Sequence, residues 1–275
     1  MKKKLLFISF IFFQCIMFSQ EDAWVYFANK EDVANAIANP LTILSQKALN
    51  RKANHNVAID ERDVPVTESY ITQVKNVIGI LVLAKSKWFN TVHVRGSESD
   101  INDLLDFNFI ASIEFANDAL NLAPIQTNNS TDKFSVEDAL VDFEYGNAQN
   151  QVEMISADAL HELDYTGEGV TVAVLDAGFP NVNTMGAFQR LRAAGKLLNG
   201  YDFVNRTANV YAYTGNTHGT KVLSTMAGFV QDEYVGTAPD ASYYVFRTEE
   251  AERENPVEES YWVEAAERAD SLGVD

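Results

Sequence analysis

The sequence GEGVTVAVLDAGF, residues 167–179, decides the fold that we predict for the second half of the chain. It consists of a glycine turn, an unbroken run of apolar and mostly β-branched residues, and a second glycine turn after Asp176. A strand without polar alternation is typical of a parallel sheet that helices cover on both faces. We therefore predict a buried parallel strand that ends at Asp176.

The segments around this strand alternate between helical and strand-like patterns. Residues 219–229, GTKVLSTMAGF, place Val222, Met226 and Ala227 on one face and end near a glycine. This alternation implies an α/β domain with a doubly wound parallel sheet and functional groups at the carboxyl ends of its strands. The predicted elements are a helix over 150–163, a strand within 167–179, a helix over 219–229, a strand over 241–248 and a helix over 256–273.

The first half of the chain, residues 24–115, has the pattern of a separate small α/β domain. With one extra helix, its elements follow the order β-α-β-β-α-β, which is the ferredoxin-like split arrangement. Two large aromatic residues in its third predicted strand, Trp88 and Phe89, are expected in the core. The predicted elements are a strand over 24–27, helices over 39–49 and 67–77, strands over 78–85 and 88–95, a helix over 97–107 and a strand over 109–116.

The first twenty residues, MKKKLLFISFIFFQCIMFSQ, have the order of a secretory signal peptide: lysines, an apolar run, then small and polar residues. The apolar run from Leu5 to Phe18 is shorter than the ~20 residues that a transmembrane helix needs. A lipoprotein anchor at Cys15 is the weaker alternative. Cleavage near Gln20 would remove the only cysteine and leave a secreted protein without disulfides or thiol catalysis.

Composition indicates a globular chain with more than one core, since it has 275 residues of which 47% are hydrophobic. The formal net charge of −18 argues against nucleic acid as a partner. A polar stretch between the two halves is predicted to be an exposed linker, and no later segment is predicted to span a membrane. The predicted plan is a signal peptide over 1–20, a small domain over 21–116, a linker over 117–145 and a second domain over 146–275.

Two residues of the second domain combine into a pattern that points to proton transfer. Asp176 ends a parallel strand, where its carboxylate would face the crevice in which such sheets bind ligands. His218 stands before Gly219 at the start of a helix, so that its ring has room to face a substrate. A carboxylate that orients one ring nitrogen lets the imidazole act first as base and then as acid. Either residue alone is more commonly a turn former or a cap.

These motifs resemble those of the subtilisin-like (S8-type) serine peptidases. VTVAVLDAGF is similar to the aspartate motif of that family, THGTKVLSTMAG to its histidine motif, and VGTAPDASYYVFRTE to the turn and strand that come next. The resemblance covers residues 146–275 and implies a triad in the chain order Asp, His, Ser, with Asp176 orienting and His218 transferring the proton. Residues 24–115 resemble the inhibitory propeptide of such enzymes, and the whole chain resembles the secreted peptidases of Bacteroidetes-type bacteria.

The sequence departs from the family pattern in two respects. Ala177 stands where many relatives have Ser or Thr, so a hydroxyl that would bond the aspartate is missing. The GTSMA-like motif that carries the nucleophile is not found in these residues. Ser224 follows His218 by nearly two helical turns, so its hydroxyl is not expected to meet the imidazole. We therefore expect a chain that is truncated before its nucleophile and inactive on its own.

The leading hypothesis is the precursor of a secreted serine endopeptidase that acts on protein or peptide substrates. The resemblance implies that its N-terminal domain is an intramolecular inhibitor until the linker is cut. One alternative is a secreted pseudoenzyme or protease-inhibitor-like binding protein without hydrolytic activity. Another is an unrelated α/β binding protein in which Asp176 and His218 are turn and cap residues.

No cofactor is predicted to be required, and no metal site is predicted. His55, His93 and His161 are spread over both domains without the spacing of zinc ligands. The acidic run over 249–259 is a candidate for structural calcium. The preferred interpretation is that this run is a solvent-exposed segment leading into the last helix.

Overall fold

The computed structural model describes residues 19–121, 143–252 and 255–275. The strands are β1 (Gln20–Phe27), β2 (Leu81–Ser86), β3 (Thr91–Ser97), β4 (Ile110–Phe115), β5 (Thr171–Asp176), β6 (Tyr201–Asp202), β7 (Phe229–Val230), β8 (Tyr234–Val235) and β9 (Ser242–Arg247). The α-helices are α1 (Val33–Ala38), α2 (Gln46–Asn54), α3 (Glu68–Lys75), α4 (Glu98–Asn102), α5 (Gln149–Met154), α6 (Ala157–Glu162), α7 (Gln189–Ala193), α8 (His218–Ala227) and α9 (Pro256–Leu272).

The N-terminal part of the chain forms a four-stranded antiparallel sheet in the order β2-β3-β1-β4. The central strand β1 pairs with β3 on one side and with β4 on the other. Helices α3 and α4 cover one face, where Ile71, Val74 and Ile101 join Val25 of β1 in a buried apolar cluster. The predicted ferredoxin-like split arrangement is therefore confirmed.

The predicted core position of Trp88 and Phe89 is wrong. Both residues lie in the turn between β2 and β3 rather than in a strand, and the Phe89 side chain is exposed. The turn closes at Asn90, which has a left-handed backbone with φ of 53°. Because this tight turn uses residues 87–90, β3 begins only at Thr91.

Two predicted helices are interrupted. In place of a helix over 39–49, residues 40–42 form one 3-10 turn, and α2 begins after Ser45, whose side chain accepts the backbone N–H of Ala48 at 3.1 Å. The predicted helix over 150–163 is divided into α5 and α6 by Ser156, which has a left-handed φ of 54°. The Ser45 cap and the left-handed backbone of Ser156 therefore set helix boundaries that the spacing of apolar residues does not predict.

The second part of the chain is built on a three-stranded parallel sheet in the order β5-β9-β6. Helix α8 packs on one face, where Leu223 meets Val174 and Val245. Helix α9 packs on the other face, where Tyr261 and Ala265 join Phe246. Helices on both faces of a parallel sheet make the doubly wound arrangement that the sequence predicts, so this part of the fold prediction is confirmed.

Helix α9 also contacts the N-terminal sheet and so lies between the two sheets. Its Glu267 is buried and accepts hydrogen bonds from the Ser86 hydroxyl at 2.5 Å and from the backbone N–H groups of Lys87 and Trp88 at 2.8 and 3.0 Å. One turn of the N-terminal domain is therefore bound through a single carboxylate of α9.

A second contact joins α2 of the N-terminal domain to the end of α9. Ser45 donates its backbone N–H to the Ser271 carbonyl and its hydroxyl to the Leu272 carbonyl, both at 2.9 Å. Arg51 donates to the Val274 carbonyl and to the Asp270 carboxylate and carbonyl. The last carbonyls of a helix have no partner within that helix, so α2 caps the end of α9 from another domain.

Several predictions fall on residues outside the described ranges. Residues 1–18 hold nearly all of the predicted signal peptide and the Cys15 alternative, and residues 122–142 hold most of the predicted linker. These assignments and the exact domain boundaries stay predictions. Within the part of the chain that the structure describes, no helix has both the length and the apolar character to cross a membrane.

Candidate active site

The Asp176 carboxylate stands at the carboxyl edge of the parallel sheet, as the last residue of β5. It is buried, with 6% of its surface exposed. Its backbone carbonyl accepts the N–H of Thr248 at 3.0 Å, and its Oδ1 accepts the N–H of Ala177 at 2.6 Å. The backbone of Ala177 therefore donates to Asp176, although the alanine side chain has no hydroxyl to do so.

His218 is the first residue of α8, and its backbone N–H donates to Oδ1 of Asn216 at 2.7 Å. The side chain is 65% exposed. A helix start provides no intrahelical acceptor for its first N–H groups, so the Asn216 side chain caps the position that presents the imidazole.

The structure brings Asp176 and His218 together. Nδ1 of His218 lies 2.9 Å from both carboxylate oxygens of Asp176. An ionised carboxylate has only acceptors, so Nδ1 carries the proton and Nε2 of the neutral ring keeps its lone pair. The two residues are thus partners rather than an isolated turn former and an isolated cap. That they act in catalysis stays a prediction.

Two glycines allow the end of β5 and the start of α8 to approach each other. A Cβ at Gly219 would lie 2.7 Å from the carbonyl oxygen of Gly178 and 2.7 Å from the ring of Phe179. A Cβ at Gly178 would lie 2.6 Å from the carbonyl oxygen of Asn216. Thr220 donates its N–H to the Gly178 carbonyl at 3.1 Å. Direct backbone contact at these two glycines therefore sets the distance between Asp176 and His218.

Sequence reasoning did not single out Arg247, a buried cation beside the candidate pair. It ends β9 and is 3% exposed. Its guanidinium pairs with the buried carboxylate of Asp202, with Nη1 3.2 Å from Oδ2. The sequence does contain a hint, since Arg247 is the one charged residue at the end of an otherwise uncharged strand. A buried charge in such a place needs a partner of opposite charge.

The other candidate residues of the sequence do not join this site. The Ser224 hydroxyl donates to the Lys221 carbonyl at 2.7 Å instead of reaching the imidazole. His55 is exposed at the end of α2. His93 is buried in β3 between Asp22 and Ser260, and its ring nitrogens lie 2.9 and 2.8 Å from oxygens of those residues.

His161 is also buried, and its ring connects two segments of the second domain. Its Nδ1 lies 2.8 Å from the Tyr145 hydroxyl, and its Nε2 lies 2.8 Å from the Thr237 carbonyl. Since Nε2 faces a carbonyl, it carries the proton, and Nδ1 accepts from the tyrosine. His161 is therefore a structural histidine.

The acidic run before and within α9 is partly used in capping. Glu258 accepts hydrogen bonds from the backbone N–H groups of Glu250 and Asn255, and Asn255 donates its side-chain amide to Glu250. In the described ranges, no three His, Cys, Asp or Glu side chains are grouped as metal ligands. Part of the run therefore caps the start of α9, and its role in calcium binding stays untested.

Two parts of the chain are similar to known proteins. Residues 22–133 match the family described as the peptidase S8 propeptide domain of Bacteroidota. A stretch of 101 residues is 36% identical to Subtilisin E of Bacillus subtilis (strain 168). Together these two matches support a subtilisin-like S8 precursor.

The match to Subtilisin E covers 35% of this chain and 23% of that relative. Subtilisin of Bacillus pumilus is 34% identical over 101 residues, which are 35% of this chain and 32% of the relative. The chain thus corresponds to a third or less of the length of these curated relatives.

Two solved structures are also similar to this chain. The epidermin leader peptide processing serine protease of Staphylococcus aureus has a TM-score of 0.45 at 13% identity, over 92% of this chain and 49% of that chain. Fervidolysin of Fervidobacterium pennivorans, a keratinolytic enzyme related to subtilisin, has a TM-score of 0.42 at 14% identity, over 84% and 30%.

Proposed function

We propose that this S8 precursor gives rise to a secreted serine endopeptidase in which Asp176 and His218 are two members of the catalytic triad. The observation that carries the proposal is the contact of Nδ1 of His218 with both oxygens of a buried Asp176. The ring is exposed on its other side, so Nε2 is accessible to a nucleophile and its substrate.

The proposed mechanism assigns one step to each side chain. Nε2 of His218 takes the proton of a serine hydroxyl while that oxygen attacks the peptide carbonyl, and the ring then returns the proton to the leaving amine. Asp176 holds the Nδ1–H tautomer and stabilises the imidazolium that forms. The acyl-enzyme is finally hydrolysed by water, with His218 again acting as base.

The nucleophile is assigned to a serine outside these 275 residues. Among the described residues, no hydroxyl forms a hydrogen bond with Nε2 of His218, and Ser224 is engaged with the Lys221 carbonyl. The 275-residue chain by itself is therefore expected to show no peptide hydrolysis. Turnover by this pure chain that disappears in His218→Ala would contradict the assignment.

The decisive experiment extends the reading frame beyond codon 275 and looks for a Gly-Thr-Ser-x-Ala motif. The protein encoded by the extended frame is then assayed on unstructured protein substrates as wild type and as His218→Ala. We expect hydrolysis by the wild type and its loss in the variant. His55→Ala is the matched control, since that histidine is exposed on α2 of the other domain. Equal rates for all three proteins, or an extended frame without a serine motif, would overturn the proposal.

We further propose that the N-terminal domain remains bound as an inhibitor after the linker is cut. Its support is the buried Glu267 carboxylate, which holds the turn of Ser86, Lys87 and Trp88 against α9. A site for a specific protease, introduced between residues 121 and 143, allows the test. The two pieces should elute together after cleavage, and their separation at micromolar concentration would contradict this part of the proposal.

Secretion is also part of the proposed function. Cleavage after Gln20 would leave β1 almost complete, because that strand begins at Gln20 and its pairing with β3 continues through Tyr26. The mature N-terminus of exported protein, read by Edman or mass-spectrometric sequencing, is expected near residue 21. Protein that keeps residues 1–20 and stays with the cells would contradict this assignment.

A further inference from the structure

Arg247 occupies the centre of the sheet edge that carries the candidate pair. Strand β9 lies between β5 and β6, and the register places Arg247 opposite Asp176 on one side and opposite Asp202 on the other. The residue is buried, so its guanidinium is held by protein groups rather than by bulk water.

The guanidinium makes three different contacts. Its Nε donates to the Ala177 carbonyl at 3.0 Å, and its Nη1 lies 3.2 and 3.4 Å from the carboxylate oxygens of Asp202. The Tyr213 ring covers it, with the guanidinium carbon 3.5 Å from the ring centroid. Asp202 is itself held by Asn205, which donates its backbone N–H and its side-chain amide.

Two of these contacts reach the segments that present the acid and the base. Ala177 is the residue whose N–H donates to Oδ1 of Asp176, so fixing its carbonyl fixes the turn that orients the carboxylate. Tyr213 lies five residues before His218, and its ring is 3.2 Å from the position that a Cβ of Gly178 would occupy. One side chain thus touches both the turn after Asp176 and the approach to His218.

We propose that Arg247 is a positioning residue that sets the orientation of Asp176 toward His218, an inference that rests on the proposed function of that pair. Its planar fork bonds the Ala177 carbonyl and the Asp202 carboxylate in fixed directions while its face stacks on Tyr213. A lysine keeps the charge, but its three N–H donors share one nitrogen, so it cannot reproduce the planar fork and the stacked face together.

The test uses Arg247→Lys in the 275-residue chain and reads the tautomer of His218 from ring ¹⁵N shifts. In the wild type we expect the neutral ring in the Nδ1–H form that Asp176 selects. In Arg247→Lys we expect a shift toward the Nε2–H form, which free imidazole favours in water, because the carboxylate is no longer aligned. A buried ion pair with only a structural role would leave the tautomer unchanged.

Arg190→Lys is the matched control. Arg190 also forks onto a carboxylate, that of Asp240, and its guanidinium lies over the Phe229 ring at 4.5 Å. Neither Asp240 nor Phe229 belongs to the candidate pair, so replacement of Arg190 should leave the His218 tautomer as in the wild type. The same shift in Arg190→Lys as in Arg247→Lys would overturn the inference.

Tyr213→Leu provides a second variant if Arg247→Lys does not fold. Tyr213 is only partly buried, and leucine removes the aromatic face while leaving the Arg247–Asp202 pair in place. We expect a smaller shift in the same direction. The inference would be overturned if His218 kept its wild-type tautomer in Tyr213→Leu and in any Arg247→Lys protein that folds.

Kinetics of the extended enzyme separate this inference from the proposed function. Displacing a catalytic group by about 1 Å costs roughly 10²-fold in rate, so kcat of Arg247→Lys should fall by about 10- to 100-fold with KM little changed. An inactive wild type would refute the proposed function. An active wild type that Arg247→Lys equals in kcat would refute the positioning role alone.

Discussion

At the scale of single residues, the candidate site depends on small side chains. Asp176 and His218 are 42 positions apart in the sequence, and their hydrogen bond requires β5 and α8 to meet almost backbone to backbone. Gly178 and Gly219 provide that approach because neither has a Cβ to separate the two segments.

The first prediction concerns Asp176→Asn in the extended enzyme. The amide can donate to Nδ1 and so select the wrong imidazole tautomer, which leaves Nε2 protonated and unable to act as base. We expect kcat to fall by roughly 10⁴-fold, measured by hydrolysis of a peptide substrate. Asp232→Asn is the control, because Asp232 is exposed and its φ of 63° suits asparagine. An unchanged rate in Asp176→Asn would refute its assignment.

The second prediction concerns Gly219→Ala in the 275-residue chain. The new methyl group would lie 2.7 Å from the Gly178 carbonyl oxygen, a backbone atom that a rotamer change cannot move. We expect the free energy of unfolding in urea to fall by about 1–3 kcal/mol. Gly186→Ala is the control, since a Cβ there meets nothing within 4 Å. Equal losses in both variants would show that the close contact is not what makes Gly219 necessary.

The sequence allowed the Asp176–His218 partnership to be predicted but not the groups that support it. The two residues stand in recognisable motifs at a strand end and a helix start. Arg247, by contrast, acts through Ala177, Asp202 and Tyr213, which come from three separate segments. Contacts of this kind depend on tertiary packing, which no local pattern encodes.

At the scale of elements, α9 has an unusual double role. One face packs on the parallel sheet of its own domain, and the other packs on the antiparallel sheet of the N-terminal domain. Its Glu267 is among the buried residues of that second face. Burial raises the pKa of this carboxyl above 4.5, although the hydrogen bonds from Ser86, Trp88 and Lys87 act in the opposite direction.

The third prediction concerns Glu267→Ala. The variant leaves two backbone N–H groups and the Ser86 hydroxyl without their acceptor in a buried interface. Leaving a buried donor unsatisfied costs about 1–3 kcal/mol, so we expect a loss of at least that size in urea unfolding. Glu259→Ala on the same helix is the control, because Glu259 is exposed. A loss no greater than that of the control would show that the carboxylate does not hold the interface.

The existence and type of most elements were predictable, whereas several boundaries were not. Helix α9 was predicted correctly because both of its ends have clear sequence signals. It begins with a proline and stops at Gly273, which has a left-handed conformation with φ of 79°. Ser156 shows why others fail, since a non-glycine residue with positive φ divides α5 from α6 without a sequence signal.

At the scale of the whole molecule, the antiparallel and the parallel sheet each pack on an apolar cluster of their own, and a third cluster around α9 joins them. A charged network on β1 and β3 stands near their junction, where Asp22 bonds His93 and Arg95, and His93 in turn contacts Ser260 of α9. Burial alone would raise the pKa of Asp22, but the hydrogen bonds and charges of His93 and Arg95 outweigh it and lower the pKa below 3.8.

The fourth prediction follows from the sign of that shift. A carboxyl whose pKa is lowered by folding stabilises the folded chain above its unfolded value of 3.8, and this contribution is lost as pH falls through the lowered value. The stability difference between wild type and Asp22→Asn should therefore be full at pH 6 and shrink below pH 3.8, as measured by urea unfolding at each pH. Asp118→Asn, an exposed control in the same domain, should show no such trend. A difference that does not change with pH would contradict the shift.

The cap that α2 places on the end of α9 makes the end of that helix sensitive to removal of the N-terminal domain. While the N-terminal domain is present, the carbonyls of Ser271 and Leu272 are satisfied by Ser45. Departure of that domain would return them to solvent and let the final turn fray. Faster deuterium uptake by the last amides of α9 would then show when the N-terminal domain has dissociated.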